Sequence, residues 1–89
     1  MLEREIVISN RLGLHARAAA KLVQTVGRYS ARITLLCKSR EVNAQSILGV
    51  MMLAAGKGTP LTVRADGADA AAALDAVVDL FTRNFDEPD

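Results

Sequence analysis

Asn10-Arg11-Leu12-Gly13-Leu14-His15-Ala16-Arg17-Ala18-Ala19-Ala20 joins two different patterns. Before it, residues 3–9 alternate apolar and polar and include β-branched Ile6, Val7 and Ile8. That is the pattern of a strand with one buried face. Residues 10–13 read as a turn. After it, Ala16, Ala19, Ala20, Val23 and Val26 recur at helical spacing, from Ala16 to about Arg28, ending near Gly27. Arg17, Lys21, Gln24 and Arg28 form a partly basic stripe on another face. The chain's one histidine therefore stands where a helix begins, with an arginine two residues on.

Working outward, residues 32–38 alternate with Ile33, Leu35 and Cys37 on one face, a second strand. Ser39 and Arg40 read as a tight turn, and residues 41–43 as a short third strand. Ser46 precedes Ile47-Leu48-Gly49-Val50-Met51-Met52-Leu53, one or two helical turns with Ser46 as N-cap. Residues 56–60 are a loop, and residues 61–65 alternate again as a fourth strand. Residues 66–69 form a turn in which Asp69 is placed to cap the next helix, from Ala70 to about Asn84. Ala70, Ala73, Leu74, Val77 and Phe81 make its apolar stripe, with Asp75, Asp79 and Arg83 outside. Asp79 and Arg83 are ordered for an i, i+4 pair worth about 0.3 kcal/mol. Residues 86–89 read as a polar, frayed tail.

The order is β-α-β-β-α-β-α. Two amphipathic helices and four alternating strands are satisfied together by a four-stranded antiparallel sheet with helices on one face, an α+β fold. With 89 residues the chain makes one domain, spanning 1–89. Its net charge of +1 gives no strong field to draw nucleic acid or an anionic membrane. One cysteine excludes an internal disulfide and a cysteine-built metal site. Cys37 alternates with Ile33 and Leu35, so it reads as a small buried hydrophobe. No basic region followed by a long apolar run opens the sequence, and the apolar stretch at 47–55 is too short to span a bilayer. The expectation is a cytoplasmic protein.

The chemistry concentrates at His15. Free N–H groups at a helix start carry roughly half a positive elementary charge and stabilise an anion. The Arg17 fork is within reach of the same anion. A free imidazole titrates near ~6.5, so a useful fraction is neutral and nucleophilic at cellular pH. A surface histidine that merely caps a helix is the plainer reading, but these features together fit a phosphohistidine. With no partner at ligand spacing, a zinc site is a poor fit, and no cofactor is expected. Gly56-Lys57-Gly58-Thr59 is not a P-loop, because the threonine does not follow the lysine directly. Ile47, Leu48, Met51 and Met52 exceed what so short a helix can bury. Val50 and Leu53 are expected inward, with Leu48, Met51 and Ile47 left as a docking patch.

These residues resemble the HPr family, the histidine-containing phosphocarriers of the bacterial phosphoenolpyruvate-dependent sugar phosphotransferase system. Leu12-Gly13-Leu14-His15-Ala16-Arg17 matches the family's active-site signature, Ser46-Ile47-Leu48-Gly49-Val50-Met51 its regulatory serine segment, and Gly56-Lys57-Gly58 the following loop. The resemblance implies an open-faced β-sandwich with strand order 1-4-2-3. It implies that enzyme I phosphorylates His15 on Nδ1, that enzyme IIA domains receive the group, and that Arg17 steadies the phosphate. It implies regulatory phosphorylation of Ser46 by HPr kinase/phosphorylase where that enzyme exists. Ala20 and Gln24 of the first helix, with Ile47, Leu48 and Met51, would contact partners. Such a carrier has no independent turnover and is expected to be monomeric. One departure is Ala18, where the family usually has proline to pre-set the first turn. Alanine is a strong helix former, so the helix is expected intact.

Two other readings stand beside this one within and outside the family. A nitrogen-related paralogue in a regulatory phosphorelay shares the histidine motif. A non-catalytic binding module for RNA or a small effector would share the layered build, but RNA-binding sheets use stacking aromatics and this chain has only Tyr29, Phe81 and Phe85. A protein regulated at Ser46 without a working histidine relay is a further variant.

Overall fold

The computed structural model describes residues 1–87. Strand β2 (Arg32–Cys37) lies at the heart of the sheet, between β4 (Pro60–Asp66) and β3 (Arg40–Asn43), and β1 (Leu2–Val7) pairs with the far side of β4. The order is β1-β4-β2-β3 and every pair is antiparallel. Leu35 faces Val63 on one side and Val42 on the other. Ile33, Leu35 and Cys37 of β2 are buried with Leu61, Val63 and Ala65 of β4, so the period-two pattern chose the inner face correctly. Helices α1 (Ala16–Val26), α2 (Ile47–Met52) and α3 (Ala70–Thr82) complete the fold. α3 lies on β1, β2 and β4, while α1 packs against α2 and α3. No helix is long and apolar enough to cross a membrane among the described residues.

Several local expectations are corrected. β1 stops at Val7, not Ser9, and its inner face is thin: Ile6 is half-buried, and Leu2 is exposed. As an edge strand it has only one neighbour, and Ile8, just past its end, is the residue that reaches the core. The hairpin after β2 turns at Lys38 and Ser39, one residue earlier than expected, with Lys38 at φ 56°. On α1 the buried face is Ala18, Ala19, Leu22 and Val26, while Ala16 is exposed and Ala20 and Val23 are half-buried. Leu22 gains far more from burial than an alanine does, so it sets the rotation of the helix and pulls the 18-22-26 row inward. The helix forms with Ala18 in place of proline, and that alanine is fully buried.

Asp69 stands at the N-cap of α3, but its side chain makes no capping bond there. Its carboxylate instead accepts from the N–H groups of Ser30 (2.9 Å) and Ala31 (2.8 Å) and from Ser30 Oγ (3.2 Å). Hydrogen bonding from the Ser30 backbone is the main cause of a pKa held below the ordinary aspartate value, outweighing a smaller effect of burial. The aspartate thus ties the loop before β2 to the start of α3.

The chain end is the largest departure. α3 stops at Thr82, and Asn84–Asp86 form a single 3-10 turn. Asn84, Phe85 and Asp86 all lie in the left-handed region, at φ 55°, 57° and 58°. For Phe85 this costs roughly 1–2 kcal/mol, while asparagine and aspartate enter the region more readily. Phe85 holds the turn down: it is fully buried and meets Phe81 edge to face, with ring centroids 4.8 Å apart. Arg83 bonds back to Asp79 and forward to Asp86, and Lys21 Nζ donates to the Phe85 carbonyl. Asp86 and Glu87 are therefore folded against the domain, not a frayed tail; positions 88 and 89 lie outside the described residues.

Candidate functional site: the His15 cleft

The turn at 10–13 sets the direction in which α1 begins. Gly13 has φ +66°, and a Cβ built there would lie 2.4 Å from the Ala55 carbonyl oxygen and 2.7 Å from Gly56 Cα. Only glycine allows this approach. Leu14 then donates its N–H to Ala55 (3.0 Å) and buries its side chain. Two segments distant in sequence thereby lock the backbone one residue before the histidine.

His15 is the N-cap of α1, with extended φ −80° and ψ 179°. Its carbonyl accepts the first helical bond from Ala19 (2.9 Å), and its Nδ1 accepts from the Arg17 N–H (3.3 Å). Nε2 meets Glu87 Oε2. The two contacts agree on one tautomer: Nδ1 carries a lone pair, and Nε2–H donates to the carboxylate. The ring is 27% exposed, so it is reachable but not free-standing.

Glu87 is fixed at its other oxygen as well. Oε1 accepts from Asn10 Nδ2 (3.0 Å), whose second hydrogen goes to the Gly13 carbonyl (2.8 Å). Burial acts to raise the Glu87 pKa. The hydrogen bonds from Asn10 and His15, with the charges of His15 and Lys21, outweigh it and hold the carboxyl below its ordinary value.

A cleft of about 410 Å³ opens here, lined by Arg11, Leu12, His15, Arg17, Asn84 and Glu87 among others. The N-terminal end of α1 and the guanidinium-bearing Arg11 and Arg17 border it, opposite in charge to the Glu87 carboxylate that also lines it. His15 and Arg17 both line the cleft. Ser46, Ile47, Leu48, Met51, Ala20 and Gln24 do not line this cleft. Ser46 caps α2, its Oγ accepting from the Gly49 N–H (3.0 Å). Val50 and Leu53 point inward, and Ile47, Leu48 (74% exposed), Met51 and also Met52 face out. Gln24 is exposed on α1 and Ala20 half-buried. Asn10, Arg11 and Glu87 were not anticipated as site residues. Asn10 carried only a turn signal, and Glu87 carried no pattern at all.

An open sheet with one reachable imidazole at a helix mouth, beside an open cleft, is the build of a histidine-presenting carrier domain. The family model described as "PTS HPr component phosphorylation site" matches residues 2–83. The phosphocarrier protein HPr of Xylella fastidiosa strain 9a5c is 54% identical over 87 residues, covering 98% of each chain. A phosphocarrier protein NPr from Shewanella violacea is 45% identical over 86 residues, 97% of this chain and 94% of that one. The crystal structure of HPr-C-His from Thermoanaerobacter tengcongensis superimposes with a TM-score of 0.94 at 41% identity, covering 99% of both chains. The chain belongs to the HPr family, phosphocarrier proteins of the phosphotransferase system.

Proposed function

We propose that His15 accepts a phosphoryl group on Nδ1 from phosphorylated enzyme I and passes it to a histidine on enzyme IIA domains during sugar uptake. The observation that carries this is the orientation of the ring. Its Nδ1 lone pair faces the N-terminal end of α1, beside the Arg17 N–H. A phosphoryl group bonded there meets free backbone N–H groups and the Arg17 side chain, which neutralises part of its charge. Phosphoryl transfer needs positioning and charge neutralisation more than added covalent chemistry, and the site offers both. The protein works as a monomeric covalent intermediate in the cytoplasm, with no turnover of its own.

Partners dock on the face formed by half-buried Ala20 and exposed Gln24 of α1 and by exposed Ile47, Leu48 and Met51 of α2, since the two helices pack against each other. A phosphate on Ser46, placed by an HPr kinase/phosphorylase, adds charge at the N-terminal end of α2, beside Ile47 and Leu48, and weakens docking. A second reading, service in a nitrogen-related regulatory phosphorelay, rests on the similarity to an NPr.

The test is intact-mass measurement after incubation with phosphoenolpyruvate and enzyme I. One acid-labile phosphate is expected on the wild-type chain and none on His15→Ala. A wild-type mass that stays unchanged defeats the proposal. Transfer onward to a sugar-specific or a nitrogen-related IIA domain separates the two readings.

A further inference from the structure

We infer that Glu87 is a positioning residue for phosphoryl acceptance: its carboxylate holds the His15 proton on Nε2 and offsets the charge that the ring gains as Nδ1 bonds to phosphorus. The inference rests on His15 being the acceptor. Its support is geometric. Both carboxylate oxygens are engaged, Oε2 by His15 Nε2 and Oε1 by Asn10 Nδ2 at 3.0 Å. Asn10 is itself 1% exposed and anchored to the Gly13 carbonyl, so the carboxylate is held from beneath by the same turn that aims the histidine. The Glu87 side chain is only 13% exposed. A carboxylate without a role gains little by leaving water for such a place.

The chain also adopts an unfavourable path to bring Glu87 there. Three consecutive left-handed residues turn it back toward the site, held by buried Phe85, by Lys21 on the Phe85 carbonyl, and by Ser9 Oγ donating to Asn84. Backbone strain of this kind persists where the surroundings over-determine it, and it gathers at functional sites. The segment lies beyond residue 83, where the match to the family model ends.

The step is simple to balance. The Nδ1 lone pair attacks phosphorus and forms the N–P bond. The bond from phosphorus to the donor atom breaks, and its electron pair leaves with the donor. Nε2 keeps its proton, so the ring becomes cationic. The carboxylate beside Nε2–H stabilises that cation, as a buried aspartate does for a catalytic imidazole.

The experiment uses the full chain and the variants Glu87→Ala and Glu87→Gln, with two readouts. The first is the Nε2 proton of unphosphorylated His15 by NMR. It is expected as a downfield, exchange-protected signal in wild type, lost in Glu87→Ala and retained in Glu87→Gln, whose amide oxygen still accepts. The second is the rate of phosphorylation by enzyme I and phosphoenolpyruvate. Loss of a charge-assisted bond predicts about tenfold slower acceptance in Glu87→Ala, with partial recovery in Glu87→Gln. A Glu87→Ala protein with wild-type signal and rate overturns the inference, and a faster one shows that the carboxylate obstructs the site. If wild type accepts no phosphate at all, the acceptor assignment fails, while the proton signal still decides whether Glu87 holds the ring.

Discussion

Asn10 and Glu87 are 77 residues apart in sequence, yet Asn10 Nδ2 donates to Glu87 Oε1 at 3.0 Å. The same nitrogen donates to the Gly13 carbonyl, so both of its hydrogens are used. This fixes which end of the amide is nitrogen and leaves Oδ1 buried without a partner among the described residues. One side chain thus ties the turn before the histidine to the segment that ends the described chain. Asn10→Ala removes two hydrogen bonds, one of them to a carboxylate, and should cost about 2 kcal/mol of unfolding free energy in urea. Asn10→Asp should cost more at neutral pH, because two carboxylates then face each other. That excess should shrink in acid, where one of them takes up a proton. An Asn10→Asp protein as stable as wild type at neutral pH would contradict the contact.

Glu87 predicts an acid-sensitive chain end. Its pKa is held below the ordinary carboxyl value of 4.5, because hydrogen bonds from Asn10 and His15 and the charges of His15 and Lys21 overcome the opposing effect of burial. A depressed folded pKa means that the stabilisation is fully present above the unfolded value and is lost as pH falls through the folded one. The turn at Asn84–Asp86 should therefore loosen only below pH 4.5, seen as a collective shift of the Phe85 and Asn84 amide resonances. The Glu87 carboxyl carbon should titrate with a midpoint under 4.5, and Lys21→Ala should move that midpoint upward.

Ser46 makes a simpler prediction. Its Oγ satisfies the Gly49 N–H at the start of a six-residue helix. Ser46→Ala should destabilise the protein by about 1 kcal/mol. For a domain of this size that is roughly 4–8 °C in Tm by calorimetry. Ser46→Asp should recover most of the loss, because aspartate also caps and its charge is favourable at a helix start. Equal losses in the two variants would mean that the cap contributes nothing.

What could be read from the residues follows from how local each cause is. The strands at 32–38 and 61–65 declare themselves because alternation is a property of neighbours, and burial of Ile33, Leu35, Val63 and Ala65 follows from it. Ser46 and Gly49 lie three residues apart, so the cap is legible too. The rotation of α1 is not legible in the sequence, because a run of alanines marks no face, and Leu22 decides it only once the sheet is present. His15 and Arg17 are adjacent enough to point to one site. Glu87 reaches His15 across 72 residues through a left-handed turn at Phe85 that no periodicity announces. Its reason is tertiary: a phenylalanine that finds the core at the cost of backbone strain.

Asp69 shows how a local signal can be right in position and wrong in partner. It stands at the N-cap of α3, yet its oxygens take the N–H groups of Ser30 and Ala31. Serine is as good an N-cap as aspartate, so Asp69→Ser would be neutral if capping were its role. The shorter hydroxyl cannot accept both loop N–H groups across that gap, so Asp69→Ser should lose stability much as Asp69→Ala does. The pH dependence separates the roles further. Hydrogen bonds from Ser30 depress the Asp69 pKa below 3.8, so its contribution is present above that value and is lost as pH falls through the folded pKa. The gap in stability between wild type and Asp69→Ala should then be constant at neutral pH and close only below pH 3.8, measured by denaturant unfolding across the acid range.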